Sequence, residues 1–79
     1  MYNEDLIYNK YSEDQIRYFI KNNKVDRYFW YNISKYQTLS EQFLMEFIDK
    51  IDLYWLEMNE KISQEVKDRI IAYKKVMDC

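Results

Sequence analysis

A chain of 79 residues with 12 basic and 14 acidic side chains has the size of one small domain, and it contains no uncharged stretch long enough to span a membrane. The absence of glycine excludes glycine-rich loops that bind phosphates or dinucleotides, and the absence of histidine removes the commonest general base and metal ligand. We therefore expect a cytoplasmic protein with no catalytic, cofactor-binding or metal-binding residue, since Cys79 also has no histidine to activate it.

The joint absence of glycine and proline predicts the fold class. Without these residues a chain has few ways to build hairpins or strained turns, which favours helices joined by short links. Asn22, Asn23 and Asn59 are then the residues expected to take left-handed conformations at helix ends. We predict an all-α fold, in which residues 1–79 form one compact array of five or six short helices.

The first segment, residues 2–25, carries one clear helix start. Ser12 is followed three residues later by Gln15, the capping-box pattern in which both side chains bond backbone amides. Apolar residues then recur at helical spacing at Ile16, Phe19 and Ile20. The pattern predicts a helix that begins directly after Ser12.

A basic stripe follows another face of that helix and consists of Arg17, Lys21 and Lys24. Such a stripe could follow a nucleic-acid backbone, especially beside aromatic side chains that stack on bases. Three positive charges are a weak electrostatic footprint on a chain with a net charge of −2. A solvated helix face is the preferred interpretation.

The second segment, residues 26–52, opens with the densest aromatic cluster, residues 28–31. Four consecutive positions cover most of the circumference of a helix, so the four rings cannot all face one core. Trp30 is assigned to the core together with Ile33. Tyr28, Phe29 and Tyr31 form either a contact surface of the kind enriched in binding hot spots or a second side of a thickened core. The sequence favours neither interpretation.

Ser40 starts the helix with the most regular pattern. Its hydroxyl is placed to cap the first turn, and Glu41 adds a negative charge where the helix dipole favours one. Apolar residues follow at three- and four-residue spacing at Phe43, Leu44, Phe47, Ile48 and Ile51. One face of this helix is therefore expected to lie in the core.

An acidic strip is predicted on the opposite face of the Ser40 helix. Gln42, Glu46 and Asp49 form one line, and Glu41 and Met45 extend it sideways. Residues 40–60 carry six carboxylates and one lysine, so the strip could meet a basic partner surface. The alternative is an ordinary solvated helix surface.

The third segment, residues 53–79, contains two further helix starts. Asp52 is a cap candidate for a short helix, and Ser63 precedes a longer helix expected to cap the array. Across all segments the predicted core consists of Trp30, Ile33, Leu39, Phe43, Leu44, Phe47, Ile48, Ile51, Leu53, Leu56 and Ile70.

The three serines also align the chain with itself. Ser12, Ser40 and Ser63 each follow two polar residues and a large apolar one, and similar apolar positions recur after each serine. Residues 2–25, 26–52 and 53–79 therefore read as three diverged helix-turn-helix repeats.

The central copy carries a resemblance to a known class of repeats. Its matching positions are Trp30, Ile33-Ser34, Tyr36-Gln37, Leu39-Ser40-Glu41, Phe43-Leu44, Phe47 and Asp49-Lys50-Ile51-Asp52. They resemble short helical repeats of about 23 residues from giant viruses and other viral or low-GC genomes, with the pattern W-x-x-I-S-x-Y-Q-x-L-S-E-x-F-I-x-x-F-x-D-K-x-D. In the next copy Leu53 replaces the tryptophan, and Gln64 replaces the glutamate after the serine. The resemblance implies a helical array of viral or mobile-element origin and no catalytic activity.

Together these features predict a non-enzymatic viral or phage accessory protein that binds and inhibits a host protein. An acidic helix face with flanking tyrosines suits a basic nucleic-acid channel, so the preferred target is a defence nuclease such as a CRISPR effector. The alternatives are a helical regulator that binds nucleic acid and a helical repeat that assembles into homo-oligomers. The isoelectric point of about 5.1 opposes the nucleic-acid alternative.

Overall fold

The computed structural model describes residues 3–77, and this part of the chain forms six helices and no strand. The helices are α1 (Asn3–Tyr8), α2 (Glu13–Asn22), α3 (Arg27–Tyr36), α4 (Glu41–Glu46), α5 (Leu53–Glu57) and α6 (Gln64–Met77). The predicted all-α fold is confirmed, whereas Cys79 lies outside the described residues. None of the helices within residues 3–77 combines the length and the apolar content needed to cross a bilayer.

The helices are arranged as three successive pairs. The first helices of the pairs stack on one another, since α1 packs against α3 and α3 packs against α5. Among the second helices, α4 packs against α6, and the Arg17–Glu46 ion pair joins α2 to α4. The chain therefore forms two adjoining rows of helices with the core between them.

Every helix from α2 to α6 begins at a side chain that accepts the backbone N–H three residues later. The five caps are Ser12 (3.1 Å), Asp26 (3.0 Å), Ser40 (3.1 Å), Asp52 (3.2 Å) and Ser63 (3.3 Å). The capping box of Ser12 and Gln15 is complete, because the Ser12 N–H also donates to Gln15 Oε1 at 2.8 Å. The caps predicted at the three serines and at Asp52 are confirmed, and Asp26 is an additional one.

The helix ends differ from the prediction. No residue in the described part of the chain has a positive φ, so the left-handed conformations expected at Asn22, Asn23 and Asn59 are wrong. The α2 terminus is instead closed by side chains: Asn22 Nδ2 donates to the Tyr18 carbonyl at 2.8 Å, and Asn23 Nδ2 donates to that of Phe19 at 3.1 Å. The two asparagine side chains thus satisfy carbonyls near the end of the helix. At a left-handed helix end, backbone N–H groups would bond such carbonyls instead.

The last turn of the first helix in each pair is closed by a side-chain hydrogen bond, which we call a joint. In each pair, the carbonyl six residues before the serine cap accepts this bond from a side-chain nitrogen that lies later in the chain. These bonds join Gln37 Nε2 to Leu6 (2.6 Å), Asn59 Nδ2 to Ser34 (2.9 Å) and Lys67 Nζ to Glu57 (3.1 Å). The first helix of every pair therefore depends on residues outside itself to satisfy its last turn.

The core contains most of the predicted residues. Nine of the eleven are buried, while Phe47 and Leu53 are half-buried and pack against the others. The core also includes four residues absent from the predicted set, namely Leu6, Ile16, Phe29 and Ile62. Four polar side chains are buried beside them, Ser34, Gln37, Asn59 and Lys67, and every buried polar side-chain atom in the described residues has a hydrogen-bond partner.

Candidate interaction surfaces

The helix that carries the predicted acidic strip is shorter than the sequence pattern indicates. Helix α4 ends at Glu46, and the backbone of Phe47 leaves the helical region at φ −112° and ψ 29°. The placement of Asp49 on one helical line with Gln42 and Glu46 is therefore wrong. The turn after α4, closed by the Lys50 N–H to Phe47 carbonyl bond at 2.8 Å, lets the apolar residues that follow enter the core.

Two carboxylates of the strip are held in ion pairs within the molecule. Glu41 accepts from Arg69 through Nη2 at 2.7 Å and Nε at 3.0 Å, and Glu46 Oε1 lies 3.1 Å from Arg17 Nη2. The hydrogen bond from Arg69 lowers the pKa of the Glu41 carboxyl, and the same contact raises the pKa of the Arg69 guanidinium. Met45 is half-buried against the core. The strip thus offers a partner less charge than its sequence indicates.

Arg17 is the centre of a cluster that is still acidic. Its guanidinium lies 3.2 Å from Asp14 and 3.8 Å from Glu13 in addition to its contact with Glu46. The hydrogen bond to Glu46 raises the pKa of Arg17. One cation is shared among three carboxylates, so the cluster keeps a net negative charge. Arg17 therefore pairs with carboxylates of the molecule itself, which weakens the predicted basic stripe of Arg17, Lys21 and Lys24.

The aromatic cluster of residues 28–31 divides between the core and the surface. Phe29 and Trp30 are buried, and Phe29 stacks on Phe19 with ring centroids 5.6 Å apart. Tyr28 is 54% exposed and Tyr31 is half-buried. The middle two rings therefore thicken the core, and the outer two lie at the surface, where their role as a contact surface stays a prediction.

The two outer tyrosines continue into a larger surface, which we call the aromatic face: Tyr28, Tyr31, Tyr54 and Trp55. Successive ring centroids lie 5.8 Å apart from Tyr28 to Tyr31, 5.7 Å from Tyr31 to Trp55 and 5.3 Å from Trp55 to Tyr54. These separations are typical of interacting aromatic pairs. Because α3 packs against α5, rings from two helices form one continuous surface.

Positive charges are held against this surface. Lys35 Nζ lies 5.1 Å from the ring centroids of both Trp55 and Tyr36, and the Arg27 guanidinium lies 5.6 Å from that of Tyr28. A hollow of about 370 Å³ opens between the helices, lined by Tyr28, Tyr31, Asn32, Lys35, Tyr36 and Trp55. The arrangement combines a wide ring surface with nearby cations, and tyrosine, tryptophan and arginine side chains are the residue types enriched in binding hot spots.

Sequence reasoning included Tyr31 in this surface but missed Tyr54, Trp55 and Lys35. A signal for them was present, because the self-alignment that matches the core residues of α3 and α5 also matches Tyr31 with Tyr54. Equivalent positions on stacked helices lie side by side. Extending the alignment to exposed positions would have placed the α5 rings next to those of α3.

The described part of the chain offers no candidate metal site. Residues 3–77 contain no group of three or more carboxylate, thiol or imidazole side chains that could hold a metal ion. The chain matches no protein-family model, no curated protein and no solved structure.

Proposed function

We propose that this chain is a protein-binding module that docks on its partner through the aromatic face. The observation that carries the proposal is the continuous run of four rings across α3 and α5 on the outside of the molecule. Tyrosine and tryptophan dominate binding hot spots because they bury a large area and lose little rotamer entropy. Tyr28 and Tyr54 are 54% and 65% exposed, so both have a large area to bury on a partner.

The outermost rings of the aromatic face are not needed to fill the core. On α3 the core positions are taken by Trp30 and Ile33, and on α5 by Leu56, all of which are buried. A cluster of large rings left at the surface of so small a domain marks an interaction site. This argues for a binding role of Tyr28 and Tyr54 over a structural one.

A protein fits the aromatic face better than single-stranded nucleic acid does. Bases would stack on ring faces, but the ring of Trp55 already contacts Tyr31 and lies under the Lys35 ammonium group. The net charge of −2 also opposes attraction to a phosphate backbone. The partner we propose is therefore a protein.

The proposed partner is a host protein that the module inhibits by covering a surface. Support comes from the resemblance of the central repeat, around Ser34 and Ser40, to viral helical repeats. The acidic strip favours a basic nuclease channel as the target, but the internal ion pairs of Glu41 and Glu46 reduce the charge available for such a contact. The nuclease stays a prediction about the identity of the target.

The proposal is tested by comparing variants in quantitative capture from a lysate of the cells in which the protein occurs. Tyr28→Ser combined with Tyr54→Ser alters only exposed positions of the aromatic face, and Tyr73→Ser is a matched control, because Tyr73 is a 52% exposed tyrosine on α6. We expect capture of one partner to fall at least about tenfold in the double variant, as for hot-spot residues, and to be unchanged in the control.

Two further measurements complete the test. A photo-crosslinking phenylalanine analogue at position 54 should attach to the same partner, while the analogue at position 73 should not. Gln42→Lys alters an exposed position of the acidic strip on α4. If a partner is lost from this variant but retained by the double tyrosine variant, the proposal that the aromatic face is the docking surface is refuted. Inhibition is then measured as the activity of the purified partner with and without the module.

A further inference from the structure

A second surface lies between α1 and α2, apart from the aromatic face. It is a groove of about 490 Å³, which we call the acidic groove, lined by Asp5, Tyr11, Asp14, Gln15, Tyr18 and Phe19. Its described lining thus consists of three aromatic rings, two carboxylates and one amide, and includes no lysine or arginine. A volume of this size lies within the range of ordinary ligand sites.

Several walls of the acidic groove are fixed by contacts made outside it. The Tyr11 N–H donates to Gln37 Oε1 at 3.0 Å, and Gln15 is bound in the capping box that starts α2. Phe19 stacks on Phe29, which is not part of the groove lining. A site whose walls are already held loses little conformational entropy when a ligand enters.

The charge around the groove selects for a cation. Aromatic rings present partial negative charge on their faces, and the carboxylate of Asp14 adds formal negative charge. Arg17 Nη1 contacts Asp14 at 3.2 Å, but the same guanidinium also serves Glu13 and Glu46. The surroundings of Asp14 therefore stay negative, and an anionic ligand is disfavoured.

We propose that the acidic groove binds an arginine side chain of a partner protein. A guanidinium is planar and weakly hydrated, so it can stack on a ring such as Tyr18 while it donates to a carboxylate such as Asp14. The groove is open to water, and an exposed contact between a cation and a ring changes affinity only about two- to fivefold. It therefore acts as an anchor within a larger protein interface, where the rest of the partner holds the arginine in place.

The binding test uses the unaltered protein and a pair of matched probes. N-acetyl-L-arginine amide is titrated into isotope-labelled protein and followed by NMR, and N-acetyl-L-citrulline amide is its neutral isostere. We expect the arginine probe to shift the signals of Tyr18 and Phe19 and to bind about fivefold tighter than the citrulline probe. Equal affinity for both probes, or no shift in the groove, overturns the proposal.

Variants at exposed positions show whether the groove itself is the site. Tyr18→Leu and Asp14→Asn should each weaken arginine binding about two- to fivefold, and both keep the fold because Tyr18 is 72% and the Asp14 side chain 95% exposed. Tyr73→Leu and Asp68→Asn make the same chemical changes on α6 and should leave binding unchanged. Equal weakening in the α6 variants also overturns the proposal. None of these results depends on the aromatic face.

Discussion

Asn59 donates a hydrogen bond to the backbone carbonyl of Gln37 at 2.9 Å, and the Gln37 side chain in turn donates to the carbonyls of Leu6 and Asn9 at 2.6 and 2.8 Å. The two amides thus connect the three first helices in series, from the end of α5 through α3 to α1. Both side chains are buried. The helix pairs are therefore held by specific hydrogen bonds as well as by apolar packing.

Closing helix ends with side-chain hydrogen bonds suits a chain that has no glycine. Helices commonly end at a left-handed glycine that closes two carbonyls through the backbone, but here side-chain nitrogens take that place at the ends of α1, α2, α3 and α5. Helices α1, α4 and α5 have only five or six residues, far below the length at which isolated helices are stable. Their formation therefore depends on contacts with other parts of the chain, which for α1 and α5 include these joints.

Replacing Asn59 should be among the most damaging polar substitutions. Asn59→Ala removes both donors from the buried carbonyls of Ser34 and Gln37, and it removes the acceptor of the Lys61 N–H at 2.8 Å. Because buried polar groups without partners cost about 1–3 kcal/mol each, we expect the free energy of unfolding to fall by about 2–4 kcal/mol. Urea denaturation followed by circular dichroism measures this change.

Asn22→Ala is the matched control for that substitution. The Asn22 amide also caps a carbonyl, that of Tyr18 at 2.8 Å, but it lies at the surface where water can replace it. Its loss should change the free energy of unfolding by less than about 0.5 kcal/mol. If the two alanine variants were equally destabilised, burial of the Asn59 joint would not be the source of its effect.

Gln37→Glu should release α1 while the remaining helices stay folded. The substitution keeps the size and one acceptor oxygen, but the carboxylate cannot donate to Leu6 and Asn9. Hydrogen exchange followed by NMR should show faster exchange at the Asn9 N–H, which bonds the Asp5 carbonyl at 2.9 Å, and unchanged exchange in α6. A uniform increase in all helices would show that the joint stabilises the whole domain instead.

The starts of the helices were predictable from sequence, whereas their ends were not. Caps such as Ser12 and Ser40 bond an amide only three residues away, so a local pattern contains all the information. The ends of α1 and α3 depend on the side chains of Gln37 and Asn59, which bond carbonyls 22 to 31 residues earlier in the chain. Such bonds exist only after the helices have been placed.

The same distinction explains the outcome for the candidate surfaces. The acidic strip was deduced from the periodicity of one helix, but the arginines that pair with Glu41 and Glu46 come from helices 28 and 29 residues away. Tyr31 was identified because it stands in an obvious aromatic run. Trp55 completes the aromatic face only because α3 and α5 stack, and local periodicity does not show that contact.

The ion pair of Glu41 and Arg69 should stabilise the fold in a pH-dependent way. Arg69 lowers the pKa of the Glu41 carboxyl below its ordinary value of 4.5, so at acidic pH the unfolded chain binds a proton here more readily than the folded one. The contribution is present above pH 4.5 and is lost as the pH falls through the lowered pKa. Melting temperatures of the unaltered protein and Glu41→Gln should therefore differ at pH 7 and converge on acidification.

An NMR titration provides the control for this assignment. In Arg69→Gln the titration midpoint of the Glu41 carboxyl should move up toward 4.5, because its main hydrogen-bond donor is gone. A midpoint that stayed low in this variant would assign the shift to another group. A difference in melting temperature that persisted at low pH would show that the glutamine substitution acts through packing.

The two tryptophans should report the position of Lys35 over the aromatic face. Trp30 is buried, whereas Trp55 is half-buried with the Lys35 ammonium group 5.1 Å from its ring centroid. Trp55→Phe should therefore shift the emission to shorter wavelength and reduce quenching by iodide. In Lys35→Glu, quenching by iodide should fall and quenching by caesium should rise, because the charge beside Trp55 changes sign. Quenching by neutral acrylamide is the control and should stay the same, since a change there would mean that the substitution had altered exposure of the ring rather than its electrostatic surroundings.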